Sequence, residues 1–268
     1  MKSLNEQITA LRNEGYSAVL ASAKVVHDVV MRAISRSGFK VNGTLKGGVV
    51  MSALTKDIRR ATLDMDIDFI HHPISEAGVR RFVSRLAKSM PEIDMAIRGR
   101  VVDLRHEDYR GKRIFLAVKD GSVPRWIRTK MDIGVHTHES IRQVDVRFDI
   151  PDGDGVVDLQ ANPIEQIFAE KLLSLLRHGV VSNRAKDVYD LYYLSNEVPI
   201  RKLKPCVQKL IYENKRCRAN GKDDMLRMLD IVFAARPFLR RLNNAKANWL
   251  QIAPEEAVAG IRRLIRKL

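Results

Sequence analysis

The sequence has 268 residues, 45% hydrophobic and 29% charged, which is typical of a soluble globular protein with one large domain or two smaller ones. It contains no apolar run of about 18 residues and no apolar N-terminal segment of signal-peptide length, which argues against a membrane or secreted protein and predicts a cytoplasmic one. Cys206 and Cys217 lack disulfide-framework or metal-ligand spacing, so we expect free thiols in a reducing compartment.

The charge of the chain is unusually positive and unevenly distributed. There are 47 basic and 32 acidic residues, a formal net charge of +15, and residues 201–268 alone carry a net charge of +11. This pattern favours a polyanionic partner, with nucleic acid ahead of a membrane surface. The alternative is a basic protein whose charge serves only solubility.

The N-terminal part of the chain alternates between helical and extended patterns. Residues 2–36 have helical spacing that ends near Gly38, and a turn and a short strand lead to Gly47-Gly48 and a further helix. "TLDMDIDFI" at 62–70 is typical of a strand, and the helix after it has a plausible cap in Ser75. From about 97 to 160 the alternation of residues predicts several more strands.

The pattern becomes helical at Asn162. This residue is placed as a helix cap, Pro163 as the first helical residue, and Gly179 as the residue past the helix end. Further helices are predicted over 185–196, 207–219, 223–235 and 254–268. The sequence therefore predicts an N-terminal α/β domain over 1–160 and a helical, basic C-terminal domain over 161–268.

Three acids share one face of the strand at 62–70. Side chains alternate along a strand, so Asp64, Asp66 and Asp68 face the same way and their carboxylates repel one another. A divalent cation such as Mg²⁺ would compensate that repulsion. The alternative is a solvated edge strand protected by its charges.

Two neighbouring features are compatible with a phosphate and metal site. Gly47-Gly48 lies between a strand and a helix about 16 residues before Asp64, where its backbone N–H groups and Lys46 could bind phosphate, although such a pair is more often only a tight turn. Asp132 in "RTKMDIGV" is an acid between apolar residues of another strand and is a candidate third ligand.

The first C-terminal helix carries a lysine where a leucine would be expected. Lys171 shares a helical face with Ile164, Phe168 and Leu175. Its ammonium either reaches back to solvent or points into a cleft towards phosphate or carboxylate. In the next helix Asp187 and Asp190 share one face, with Lys186 four residues before Asp190, and surface ion pairing is the simplest explanation.

The order and spacing of these motifs resemble those of a known family. "LKGGVVMSAL…RRATLDMDIDF…RTKMDIGV…NPIEQIFAEKLLSLLRHGVVSNRAKDVYDLYYL" resembles the AbiEii-type nucleotidyltransferases, the toxins of bacterial abortive-infection and type IV toxin–antitoxin systems. The resemblance runs from about Leu45 to Leu194. It implies a nucleotidyltransferase-like α/β (α+β) fold, with a mixed twisted sheet flanked by helices and a helical C-terminal domain.

The resemblance also implies roles for individual residues. Asp64 and Asp66 match the metal-binding Asp-x-Asp pair and Asp132 the third acid, although some relatives place the pair where Asp66 and Asp68 stand here. Lys171 matches a lysine thought to contact nucleotide phosphates, and either Asp187 or Asp190 matches a further functional acid. The other residues implied to bind the nucleotide are Lys46, Gly47, Gly48, Arg60, Thr62, Arg184, Lys186 and Asp190.

The predicted activity is therefore transfer of a nucleotide from an NTP, with Mg²⁺ or Mn²⁺, to an RNA. The 3′ end of tRNA is the first choice of acceptor because some relatives act there. A cognate antitoxin and a role in phage defence are also implied. One alternative is a nucleotidyltransferase that modifies a protein or small molecule, and another is a nucleic-acid-binding protein without enzyme activity.

Overall fold

A computed structural model of the chain describes residues 1–105, 110–138 and 140–268, without the side chains of Arg105 and Arg110. It divides into two compact units, Met1–Asn162 and Pro163–Leu268. The first is an α/β unit and the second is helical.

Over the described residues, the N-terminal unit combines four α-helices with seven strands. Its helices are α1 (Leu4–Asn13), α2 (Ala18–Arg36), α3 (Gly47–Thr55) and α4 (Glu76–Ser89). Its strands are β1 (Gly43–Lys46), β2 (Asp64–Phe69), β3 (Asp94–Arg105), β4 (Arg110–Lys119), β5 (Ile127–Val135), β6 (Val144–Asp149) and β7 (Val156–Ala161).

All seven strands form one mixed sheet in the order β3-β4-β5-β2-β1-β7-β6. β2 is parallel to β5 and β1 is parallel to β7, whereas the other neighbours are antiparallel. The predicted mixed sheet flanked by helices is therefore confirmed.

One face of this sheet is the core of the unit. Met65, Ile67 and Phe69 of β2 are fully buried on it. Phe82 of α4 packs against Phe69 with ring centroids 5.2 Å apart. Because residues alternate between faces along a strand, the acids of β2 lie on the opposite face.

Two predicted boundaries in this unit are set by local chemistry. The helix expected over 2–36 is two helices, because Gly15 has a left-handed φ of +105° and Ser17 caps α2 by accepting a hydrogen bond from the Leu20 N–H. The Ser75 cap of α4 is confirmed, since its hydroxyl accepts a hydrogen bond from the Gly78 N–H at 3.0 Å.

The C-terminal unit is built from six α-helices and a π-helical turn over Gln208–Tyr212. The helices are α5 (Ile164–His178), α6 (Ala185–Ser195), α7 (Ile200–Val207), α8 (Lys222–Ala234), α9 (Arg236–Leu242) and α10 (Pro254–Arg266).

Two predictions about this region are wrong in detail. Asn162 does not cap α5: the helix begins after Pro163, and the Asn162 side chain accepts a hydrogen bond from the Thr44 hydroxyl of β1. The helix expected over 207–219 ends at Tyr212, because the Asn214 side chain accepts a hydrogen bond from the Arg216 N–H in a turn.

Within the part of the chain that the structure describes, no helix is long and apolar enough to cross a membrane.

Candidate active site

A row of charged residues crosses four neighbouring strands of the sheet, with a cation at each end and two acids between them. Asp66 of β2 is the register partner of Lys46 on β1 and of Asp132 on β5, and Asp132 is the partner of Arg113 on β4. Register partners on adjacent strands point to the same face, so these four side chains share the face opposite the core. We call Asp64, Asp66 and Asp132 the acid row.

The outer acids of this face are paired with cations. Arg113 binds Asp132 through two hydrogen bonds of 2.7 Å, and Lys130 Nζ lies 2.5 Å from Asp64 Oδ2. Among the described residues, no group of three or more His, Cys, Asp and Glu side chains is arranged to hold a metal ion. In this structure, therefore, Arg113 and Lys130 supply part of the countercharge that the sequence pattern demands.

Asp66 is the residue of the row whose ionised form is disfavoured by its surroundings. Burial raises the pKa of its carboxyl to about 6, Lys46 opposes that shift, and the nearby carboxylates of Asp132 and Asp64 add to it. The ionised form of Asp66 is therefore costly, and a cation bound between these carboxylates would relieve the cost.

Asp68 forms an ion pair with a lysine of β1. Its carboxylate is buried and lies 2.7 Å from Lys46 Nζ. Because Asp68 is only 7% exposed whereas Asp64 is 44% exposed, Asp64 and Asp66 are the more accessible acid pair of β2, although Asp64 is itself paired with Lys130. The ion pair with Asp68 also gives Lys46 a carboxylate partner in addition to its predicted place beside a phosphate.

The glycine pair allows the start of α3 to approach β2 and the segment before it closely. A Cβ on Gly47, whose φ is +62°, would lie 2.5 Å from Asp66 Oδ2. A Cβ on Gly48 would lie 2.5 Å from the Thr62 hydroxyl oxygen. The N-terminus of α3 is thus held directly against Asp66. The first N–H groups of a helix have no partner within it, so this edge is suited to an anion.

Replacing Gly47 with alanine is expected to destabilise the protein by more than the roughly 1–2 kcal/mol that a left-handed backbone costs, because the new methyl group also collides with Asp66. Gly38 is a matched control, since its φ is +70° and nothing lies within 4 Å of the point that an alanine methyl group would occupy there. Thermal unfolding of Gly47→Ala and Gly38→Ala separates the two effects. Equal losses of Tm would contradict a close contact between Gly47 and Asp66.

Arg60 and Thr62 have different surroundings. Arg60 is only 3% exposed and lies in a single 3₁₀ turn before β2, so it is part of the interior of the unit rather than of an open surface. The Thr62 hydroxyl contacts Asp64 O at 3.4 Å and faces Gly48. Thr62 therefore positions α3 against the start of β2.

A second cluster lies in the C-terminal unit. Lys171 of α5 lies 2.8 Å from Asp190 Oδ2 and is also bonded to Asp187, both of α6. Lys171 is 11% exposed and Asp190 is fully buried. The solvent-reaching alternative for Lys171 and the surface ion pair expected for Asp187 and Asp190 are therefore both wrong.

The surroundings of this cluster add a residue that the sequence pattern did not indicate. The Trp249 indole N–H donates a hydrogen bond of 3.0 Å to Asp190 Oδ1, which leaves Asp190 with partners on both oxygens. Arg184 lies 3.7 Å from Asp187, and Lys186 is half-buried. We call Lys171, Asp187 and Asp190 the Lys171 cluster.

Arg113 and Lys130 were also missed by sequence reasoning. Lys130 could have been found, because it stands two residues before Asp132 on the same strand and so shares its face. Arg113 lies on another strand, and only the pairing of β4 with β5 brings it to Asp132.

The acid row fits a hard divalent cation in its chemistry. Its donors are carboxylate oxygens on two adjacent parallel strands, which is the donor type that Mg²⁺ and Mn²⁺ prefer. The raised pKa of Asp66 reflects burial and nearby negative charge that such a cation would offset.

Comparison with solved structures places this fold among known ones. The chain is similar to the crystal structure of JHP933 from Helicobacter pylori, with 16% sequence identity, a TM-score of 0.53, and coverage of 94% of this chain and 93% of that one. It is also similar to a candidate nucleotidyltransferase from H. pylori, with 16% identity, a TM-score of 0.54 and 93% of each chain covered. At this identity the likeness concerns the fold.

Sequence comparison identifies the family. No curated protein sequence matches the chain. The model of the family described as "Nucleotidyl transferase AbiEii toxin, Type IV TA system" matches residues 29–256, which include the acid row, the glycine pair and the Lys171 cluster. The chain therefore belongs to the AbiEii family of nucleotidyltransferase toxins of type IV toxin–antitoxin systems.

Proposed function

We propose that the acid row is the centre of a nucleotidyl transfer from an NTP to an RNA, with Mg²⁺ as the metal and the 3′ end of tRNA as the first acceptor to test. The observation that carries this proposal is the half-buried Asp66, which is surrounded by other carboxylates and touches the glycine-rich start of α3. Few functions other than phosphate chemistry combine such acids with an adjacent anion site.

Each element of the site has a role in this reaction. The N–H groups at the start of α3 and the Lys46 ammonium bind and orient the triphosphate. An acceptor hydroxyl attacks the α-phosphorus, a new P–O bond forms, and the bond to the β-phosphate oxygen breaks to release pyrophosphate. The proton of the hydroxyl passes to a carboxylate of the acid row.

Mg²⁺ would be held by Asp64, Asp66 and Asp132, where it would neutralise phosphate charge and favour the ionised hydroxyl. Arg113 binds both oxygens of Asp132 and Lys130 pairs with Asp64, so these two carboxylates would have to share or exchange those partners to hold the cation.

The Lys171 cluster is proposed as the second functional element. The ammonium of Lys171 lies between two carboxylates. This arrangement fixes the positions of Lys171 and Asp187, which are 11% and 13% exposed. Asp190 is fully buried and bonded to Trp249, so we assign it a positioning role within the cluster, and Lys171, Asp187 and the exposed Arg184 are the cluster's candidates for a functional contact.

RNA is favoured as acceptor by charge. Residues 201–268 carry a net +11, and Arg263, Arg266 and Lys267 of the α10 segment are exposed. Arg262 contributes less than its neighbours, because it is half-buried and paired with Asp230 at 2.5 Å. The family also implies a cognate antitoxin as a protein partner.

A transfer assay tests the function. The purified protein is incubated with total RNA, Mg²⁺ and each α-³²P-labelled NTP in turn, and we expect label in RNA with at least one NTP and none when EDTA is added. Label that appears only in protein or in a small molecule would overturn the RNA acceptor. No label with any NTP, in the presence or in the absence of the cognate antitoxin, would overturn the activity.

A further inference from the structure

The sheet face that bears the acid row continues outwards over β4 and β3. Phe115 of β4 is the register partner of Lys130 on β5 and of Arg98 on β3. It lies two residues from Arg113, the partner of Asp132, so its side chain points to the same face as the acid row. Val102 of β3 is opposite Arg113 on that face.

This outer part of the face exposes apolar side chains that a strand normally buries. Phe115 is 43% exposed and Val102 is 48% exposed, whereas Ile114 and Leu116, the neighbours of Phe115 on the core face, are fully buried. A scattered exposed aliphatic residue needs no explanation, but an exposed aromatic residue beside a proposed reaction centre indicates a contact surface.

Cations and a second aromatic ring frame Phe115. The Arg98 guanidinium lies 4.1 Å from the centroid of the Trp126 ring, a cation–π contact, and Arg98 is the register partner of Phe115. Arg98 and Arg128 are both exposed, and Arg128 is opposite the small residue Ala117. Aromatic rings interleaved with cations are the combination that binds single-stranded nucleic acid, by stacking on bases and pairing with phosphates.

We propose that Phe115, with the stacked Arg98 and Trp126, is a platform on which a base near the end of the acceptor RNA strand stacks. Phe115 is about 7 Å along β4 from Arg113, a distance that one nucleotide can span. The platform would hold the strand so that its terminal hydroxyl reaches the acid row. This inference rests on the proposed function for the identity of the acid row, but it concerns binding and is tested without catalysis.

The first experiment measures RNA affinity in the absence of NTP and divalent metal. The probes are a fluorescently labelled single-stranded RNA oligonucleotide of mixed sequence and an abasic oligonucleotide of equal length. Phe115→Ala is expected to weaken binding of the RNA about tenfold and to leave the abasic probe unaffected. Val19→Ala, which truncates a 66% exposed residue of α2, is the matched control and should change neither affinity.

The second experiment tests the cations and the second ring. Arg98→Gln should weaken both probes, because it removes phosphate contact, whereas Arg81→Gln on the exposed side of α4 should weaken neither. RNA should also quench tryptophan fluorescence in the wild-type protein and not in Trp126→Phe, since Trp249 is buried. Thermal unfolding of each variant confirms that it is folded.

The outcomes are distinct. Unchanged RNA affinity in a folded Phe115→Ala protein, or equal weakening of both probes, would overturn the stacking platform. Unchanged RNA affinity with weakened binding of the cognate antitoxin would overturn it in favour of a protein-binding surface. Failure of the proposed function would instead appear as no NTP-dependent labelling of RNA by the wild-type protein, and failure of the acid-row assignment as labelling that persists in an Asp66 variant, whatever the RNA affinities are.

Discussion

Replacing Asp66 with asparagine is expected to reduce nucleotidyl transfer by about a thousandfold or more. Asp66 is the central carboxylate of the acid row and the one in contact with the start of α3. Asparagine keeps the size of the side chain and removes its charge. Initial rates of NTP-dependent RNA labelling measure the effect, and Asp145→Asn, on the exposed face of β6 in the same sheet, is the control that should retain activity.

The same substitution is expected to leave the fold intact or stabilise it. The pKa of Asp66 is raised from 3.8 to about 6 on folding, so between about pH 4 and pH 6 the folded protein binds a proton that the unfolded chain has lost. The contribution of Asp66 to stability is therefore present below pH 4 and lost as pH rises through 6.

Wild-type protein should accordingly lose Tm relative to Asp66→Asn between pH 4 and pH 7 in metal-free buffer. Thermal melts of both proteins at several pH values measure this difference. A wild-type protein that gains stability over the variant as pH rises would mean that the Asp66 carboxylate is well compensated. A transfer rate in Asp66→Asn close to that of the wild type would remove Asp66 from the reaction centre.

Replacing Lys171 with methionine is expected to destabilise the C-terminal unit by about 3–5 kcal/mol. The lysine is 11% exposed and neutralises two carboxylates, of which Asp190 is fully buried. Methionine preserves most of the apolar contact but leaves both carboxylates without their buried cation. Urea denaturation followed by circular dichroism measures the loss.

Two further variants show whether charge or packing is responsible. Lys209→Met removes an exposed i,i+4 pair with Glu213 at 2.9 Å and should cost only about 0.3–0.5 kcal/mol. Adding Asp190→Asn to Lys171→Met should restore part of the lost stability, because one uncompensated buried charge is removed. A double variant that is less stable by the sum of both single losses would argue against electrostatic coupling between Lys171 and Asp190.

Much of the local structure follows from residue patterns alone. The alternation in 62–70 is sufficient to predict β2 and the shared face of its acids, and Ser75 and Gly179 mark helix ends that the structure confirms. These features depend on side-chain periodicity and backbone preference, which act over a few residues. Asn162 shows the limit of such reasoning, since its side chain serves a neighbouring strand instead of the helix that follows.

The sequence by itself determined the residue types of the candidate site and their order along the chain: an acidic strand, a glycine pair before it, a third acid, and a lysine in an apolar helical stripe. Only the tertiary structure decided which charges meet. Strand order places Arg113 and Lys130 against Asp132 and Asp64, and helix packing buries Lys171 between Asp187 and Asp190. The physical reason is that electrostatic energy depends on distance and burial, which are set by contacts between residues far apart in the chain.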